Sequence, residues 1–383
     1  MLVRPFQVVA ALGTAQTLAW GTTYYLPAVL ANAMAAELGI GTPVVFVCFS
    51  AGLLLAGFLG PASGRLIDVL GGRVVLSASS LVLAAGLAFL GSASGVVSLL
   101  LAWLLLGAGM SAGLYEAAFS TLARIYGSDA RRSITGITLI AGFASTICWP
   151  LSAYMDANLG WRATCYVWAV AHLVIGLPLN LLLPNTRAQV HTAQDKPASS
   201  PGGRYAVMAG LAFVFASGWF CSTAMAAHLP RLLQEAGSTL TAAIFAAALV
   251  GPAQVVARLL EFSLVRHVHP LYSARAATLT HPIASVGLYA AGAPAAPFFT
   301  FVHGAGNGVM TIAIGTLPLA LFGAAGYGLR QGLLTAPARV AQASAPFIFD
   351  LLLTRYGVAS LAFTSGLMLA SFVVLLLLPA RAQ

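Results

Sequence analysis

Arg339 lies within a long apolar run, about seven residues or ~10 Å inside the stretch 332–353 at 1.5 Å per residue. A guanidinium cannot shed its proton, so at that depth it requires a carboxylate, a carbonyl or an anionic solute. Glu116, beside Tyr115 in the stretch 96–121, is a carboxylate at comparable depth. Withdrawn from water, such a group can take up and release a proton; a salt bridge to an arginine such as Arg339, or a position facing a wet vestibule, are the alternatives. The run Trp20-Gly21-Thr22-Thr23-Tyr24-Tyr25 places Trp20 and Tyr24 one turn apart on one face, and Phe215, Trp219 and Phe220 recur in 206–230. Aromatic and hydroxyl groups so placed can wall a solute site, whereas Tyr25 and Pro27 suit an interfacial belt. Gln254 and Asn307 are amides in otherwise apolar runs, fit either to bind a solute or to join packed helices.

His172, His281 and His303 share no metal-ligand spacing, which leaves a proton relay as their open chemistry. Cys48, Cys148, Cys165 and Cys221 form no C-x-x-C pair and read as small apolar filler. No P-loop, H-E-x-x-H or G-x-S-x-G occurs. The expectation is therefore no enzyme, no cofactor and no metal, with solute movement driven by a gradient rather than by ATP.

The elements that hold these residues are set by composition. Of 383 residues, 60% are apolar and 7% charged, and the mean hydropathy is +0.92. Soluble proteins carry about 25% charged residues, so the chain lacks a water-facing surface. A soluble enzyme, a nucleic-acid-binding domain and a disordered scaffold are excluded; the apolar runs are continuous rather than alternating, which excludes a β-barrel. The reading is an all-α polytopic membrane protein of twelve transmembrane helices, each needing ~20 residues. Spans are expected at 6–30, 43–63, 74–92, 96–121, 134–155 and 161–183, then at 206–230, 240–262, 273–292, 296–319, 332–353 and 357–379. The polar stretch 184–205, rich in Pro, Ser and Gly, is a linker between a bundle at 1–183 and a second at 206–383.

The net charge of +9 is spread over arginines at the ends of apolar runs, with a single lysine, Lys196, and no basic tract that would suit nucleic acid. With the N-terminus cytoplasmic, only Arg162, Arg231 and Arg355 of the 18 basic residues fall outside, and Arg339 lies within a span. Both termini are thus expected in the cytoplasm of a bacterial-type inner membrane. Residues 8–30 with Ala31-Asn32-Ala33 imitate a cleavable leader, but Trp20, Tyr24, Tyr25 and Pro27 are foreign to one, and the first span is expected to remain.

The two halves echo each other. Gly64-Arg65-Leu66-Ile67-Asp68 is matched by Ala257-Arg258-Leu259-Leu260-Glu261, and Arg73 by Arg266. Two parallel six-helix halves with a site near the bilayer midplane are a recurring transporter plan. The loop Gly64–Arg73 reads G-x-x-x-D-x-x-G-x-R. This pattern resembles the loop signature of the major facilitator superfamily, with Val69 and Gly72 where that family usually has basic residues. The resemblance implies two pseudo-symmetric six-helix bundles and a conformational latch at Gly64, Asp68, Gly71 and Arg73, with Glu261 and Arg266 as a second copy.

The function expected is secondary transport of a small solute by alternating access, a small organic anion on the strength of Arg339, with protons as one candidate coupling ion. Export of a toxic or neutral solute such as arsenite or a drug, and a non-transporting membrane sensor or scaffold, are the alternatives. The expected partners are the substrate and the lipid bilayer, with no nucleic acid, and the protein is expected to be a monomer.

Overall fold

The computed structural model describes residues 5–185, 201–265 and 268–378, which form helices and the turns between them. The first expected span is two helices, α1 (Pro5–Thr22) and α2 (Pro27–Leu38). Pro27 has no N–H to continue the ladder, so the chain turns at 23–26 and restarts with proline in the first turn. α3 (Thr42–Leu70) and α4 (Gly72–Gly91) are single crossings, whereas the fourth is α5 (Val96–Gly113) followed by α6 (Tyr115–Tyr126). They are separated by Leu114 in an extended conformation (φ −89°, ψ −167°).

The fifth crossing is α7 (Ala130–Ala141) with the start of α8 (Ala144–Ala171), and the chain breaks helical geometry within α8 at Gly160 (φ 82°, ψ 162°). That glycine falls in the gap expected between 134–155 and 161–183. A π-turn at His172–Gly176 and the short α9 (Leu177–Leu181) complete the sixth. The remaining six crossings follow in order. They are α10 (Pro201–Glu235), then α11 (Leu240–Ala248) with α12 (Val250–Leu260), then α13 (Pro270–Ala291). After these come α14 (Ala296–Phe322), α15 (Tyr327–Tyr356) and α16 (Leu361–Leu377). Among the described residues, seven helical stretches are long and apolar enough to cross a membrane, and the longest, Val96–Leu181 with 86 residues, holds several crossings.

Burial is arranged for lipid rather than water. Large apolar side chains such as Phe58 (77% exposed) and Leu377 (79%) face outward, while Gln16, His172, Gln331 and Gln342 are buried. In hydrocarbon every backbone polar group must be satisfied internally, which the helices do and which the breaks do with side chains. At the α5–α6 break, for example, the carbonyl of Gly113 accepts Gln16 Nε2 at 2.6 Å.

The described residues divide into two compact units. The first comprises those up to 185 together with Phe322–Leu333, the end of α14 and the start of α15. Within it Asn180 of α9 donates to the Leu76 carbonyl (3.1 Å) and to Ser80 (3.0 Å) of α4. The second comprises the rest, with a core built on Leu232, Phe299, Phe349 and Leu361. There Arg275 of α13 donates to the Leu375 and Leu378 carbonyls, satisfying the C-terminus of α16.

Candidate functional site

In the first unit the turn from α3 to α4 carries Gly64, Asp68, Gly71 and Arg73, the residues expected to form a latch. Gly71 sits at φ 90°, a backbone region that side chains rarely adopt, and reverses the chain between the two helices. Asp68, half-buried one turn earlier, accepts the backbone N–H of Gly328 (3.0 Å) and of Leu329 (2.9 Å). These are unsatisfied donors of the first turn of α15, where the helix dipole also favours an anion. A Cβ at Gly64 would overlap the Gly328 carbonyl, so only glycine allows that approach. Arg73 takes no part in the Asp68 contact. Instead Arg124, at the end of α6, donates to the carbonyls of Ile67 (3.0 Å) and Asp68, closing the C-terminus of α3. On the same unit Arg330 holds the carbonyls of Phe322 and Gly323 at 3.2 and 3.1 Å.

The aromatic candidates of this unit converge. Trp20 lies 5.3 Å from Tyr24 and 4.9 Å from Tyr115, ring centre to ring centre, and Tyr115 stacks on Phe119 at 5.2 Å. Tyr24 also meets Phe49 at 5.8 Å. Glu116 follows Tyr115 in the first turn of α6, where a carboxylate complements the helix dipole. Thr22 and Thr23 donate to carbonyls of their own helix, and Thr22 also meets His172 Nε2 at 2.8 Å.

In the second unit Arg339 of α15 is 5% exposed. Its Nη1 donates to Gln342 Oε1 (2.9 Å), and its guanidinium lies 5.6 Å from the centre of the Trp219 ring on α10. Gln254 accepts Arg258 Nη2 at 3.2 Å on the same helix, and Arg258 also reaches the Gly308 carbonyl (3.4 Å). Asn307 instead borders a small cavity with His281 and His303. The structure thus joins Arg339 with Trp219 and places Gln254 with Arg258 against Gly308, the residue after Asn307. Glu261 is buried and accepts Ser273 Oγ at 2.9 Å, while Arg266 lies outside the described residues.

Sequence reasoning missed Arg124, which looked like one more arginine at a helix end. It also missed the pairing of His281 with His303, 22 residues apart on different helices, because nothing in their spacing sets the two helices side by side.

The family model of the Major Facilitator Superfamily matches residues 12–295. The chain belongs to the major facilitator superfamily. No curated protein sequence matches it significantly. Among solved structures, the human organic anion transporter MFSD10 (TETRAN) is similar with a TM-score of 0.76 at 16% identity, covering 97% of this chain and 100% of that one. The proton:xylose symporter XylE bound to 6-bromo-6-deoxy-D-glucose is similar with a TM-score of 0.77 at 12% identity, covering 98% and 96%. At such identities the likeness concerns the fold. Family and fold together make this a multi-pass membrane protein and point to a secondary transporter of a small molecule rather than an enzyme. For a superfamily member the Asp68 arrangement is the place where the loop signature meets a helix N-terminus.

Proposed function

We propose that this superfamily member moves a small organic anion across a cytoplasmic membrane by alternating access, with both termini in the cytoplasm. The observation that carries the anion is Arg339: a permanent cation, buried in a span, with a neutral amide and an indole as neighbours. A carboxylate reaching this guanidinium would form a charge-assisted pair with it, with Trp219 as an apolar wall. The neighbours of known structure include both an organic anion transporter and a sugar symporter, so the fold alone leaves the choice to such residues. The arginine distribution supports the orientation.

The test is a thermal-shift screen of the purified full-length protein in detergent against oxalate, lactate, acetate and neutral sugars. A ligand at 100 times its Kd adds ~2.7 kcal/mol to apparent stability. A carboxylate is expected to raise the Tm of the wild type and to leave Arg339→Ala unmoved. A carboxylate shift retained in Arg339→Ala, or a shift with sugars alone, overturns the reading.

A further inference from the structure

The second unit contains a connected polar path that the anion reading does not use. His281 of α13 and His303 of α14 face each other with their Nδ1 atoms 3.0 Å apart. His281 Nε2 lies 2.8 Å from the hydroxyl of Thr364 on α16, and that hydroxyl donates to the Leu361 carbonyl at 3.2 Å. Both imidazoles are buried, and Phe299 packs parallel to the His303 ring at 6.0 Å. Beside them is a cavity of about 20 Å³, room for one or two waters. Its wall includes Cys221 of α10, Thr280 of α13, Asn307 of α14 and Met368 of α16. Cys221 is the one further titratable group among the lining residues, which include no Asp, Glu, Lys or Arg. From α12 the charged group facing α14 is Arg258, at the Gly308 carbonyl.

Hydrogen-bond logic orders the protons along this path. Two Nδ1 atoms at 3.0 Å hold one proton between them, because two would clash and none would oppose two lone pairs. A carbonyl only accepts, so Thr364 gives its single proton to Leu361 and accepts from His281 Nε2–H. His281 Nδ1 is then an acceptor, His303 Nδ1–H is its donor, and His303 Nε2 carries a lone pair. The His303 ring lines the cavity and makes no other hydrogen bond among the described residues. Among the described residues no group of three or more His, Cys, Asp or Glu side chains is placed to hold a metal ion.

We propose that His281 and His303 form a binding site for one proton. A hydronium or water proton in the cavity transfers to His303 Nε2, forming one N–H bond and leaving water or hydroxide behind. The positive charge is then shared through Nδ1–H···Nδ1 with His281 and, through its Nε2–H, with Thr364. A second proton is opposed by the first charge on the adjoining ring, so the pair titrates as one unit. Use of this proton to drive transport rests on the transporter reading; the binding itself does not, and it stands or falls apart from any carboxylate.

The test follows ¹⁵N-histidine resonances of the full-length protein in nanodiscs as a function of pH, assigned by their loss in His281→Gln and His303→Gln. Both rings are expected to move with one common midpoint, and potentiometry is expected to find the double variant binding one proton fewer than the wild type. Two separate midpoints, two protons lost, or rings silent across the accessible range overturn the proposal. Thr364→Val keeps both rings and serves if the double variant fails to fold. It is expected to move the shared midpoint of both rings together, and movement of His281 alone sinks the idea.

Discussion

The carboxylate of Asp68 accepts the backbone N–H of Leu329 at 2.9 Å, across 261 residues of chain. It accepts Gly328 N–H as well, and so serves as the N-cap that α15 lacks in its own sequence. Asp68→Ala leaves two first-turn donors without this acceptor and is expected to cost about 1–2 kcal/mol. Asp68→Asn, which keeps an acceptor but loses the charge, is expected to cost about half as much. Amide hydrogen exchange reads the effect directly. Protection at Gly328 and Leu329 falls in both variants, more in the alanine, and unchanged protection refutes the capping role.

Gly64 and Gly366 give opposite expectations for the same substitution. A methyl group at Gly64 meets the Gly328 carbonyl, so Gly64→Ala forces α3 away from α15 and is expected to destabilise by about 1–3 kcal/mol. Gly366, within α16, has nothing within 4 Å of its would-be Cβ. Gly366→Ala removes a flexible residue from a helix and is expected to stabilise by about 0.5–1 kcal/mol. Melting temperatures of the two variants in one detergent check the pair, and equal shifts would count against the close approach.

Past the end of the first apolar run (6–30), the last turn of α2 is tied to the residues that follow Gly160 in α8. Glu37 accepts Arg162 Nε at 2.7 Å and Trp161 Nε1 at 2.5 Å. The hydrogen bond from Arg162, more than any other influence, holds the Glu37 carboxyl below its ordinary value of 4.5. A carboxylate whose folded value is depressed lends stability above the unfolded value and loses it as pH falls through the folded one. The Tm advantage of the wild type over Glu37→Gln is therefore expected at neutral pH and is expected to shrink once pH drops below about 4.5. Because the carboxylate is solvent-exposed, added salt should also narrow the gap. A gap that ignores both pH and salt would show that charge plays no part.

Sequence alone reveals a good deal of this molecule, for identifiable reasons. Crossings can be counted because lipid demands continuous apolar helices, and Gly160 marks a reversal because only glycine takes that backbone there. Asp68 stands out because its loop pattern is local. Its partner cannot be read, since a backbone N–H carries no sequence signature and Gly328 lies 260 residues on. The break at Leu114 is hidden inside a continuous apolar run, and the one at 23–26 shows in sequence only as Pro27 within another. Apolar periodicity is also weak where every face of a helix is apolar, so the partners of Gln254 and Asn307 emerge only from packing.

Trp20 and Tyr24 share a face of the first crossing, yet they are expected to answer differently to mutation. Trp20 is 2% exposed and packed between Tyr24 and Tyr115, so it behaves as core. Trp20→Ala is expected to cost about 3–5 kcal/mol, the range for deleting a large buried aromatic. Tyr24 is half-buried, and Tyr24→Phe keeps its ring against Trp20 and Phe49 while deleting one hydroxyl. That change is expected to leave stability within about 0.5 kcal/mol. An effect of Tyr24→Phe beyond stability is then expected in solute binding. Thermal unfolding of both variants, followed by the carboxylate shift assay on Tyr24→Phe, separates packing from recognition. A large stability loss in Tyr24→Phe, or none in Trp20→Ala, would reverse the assignment of the two residues.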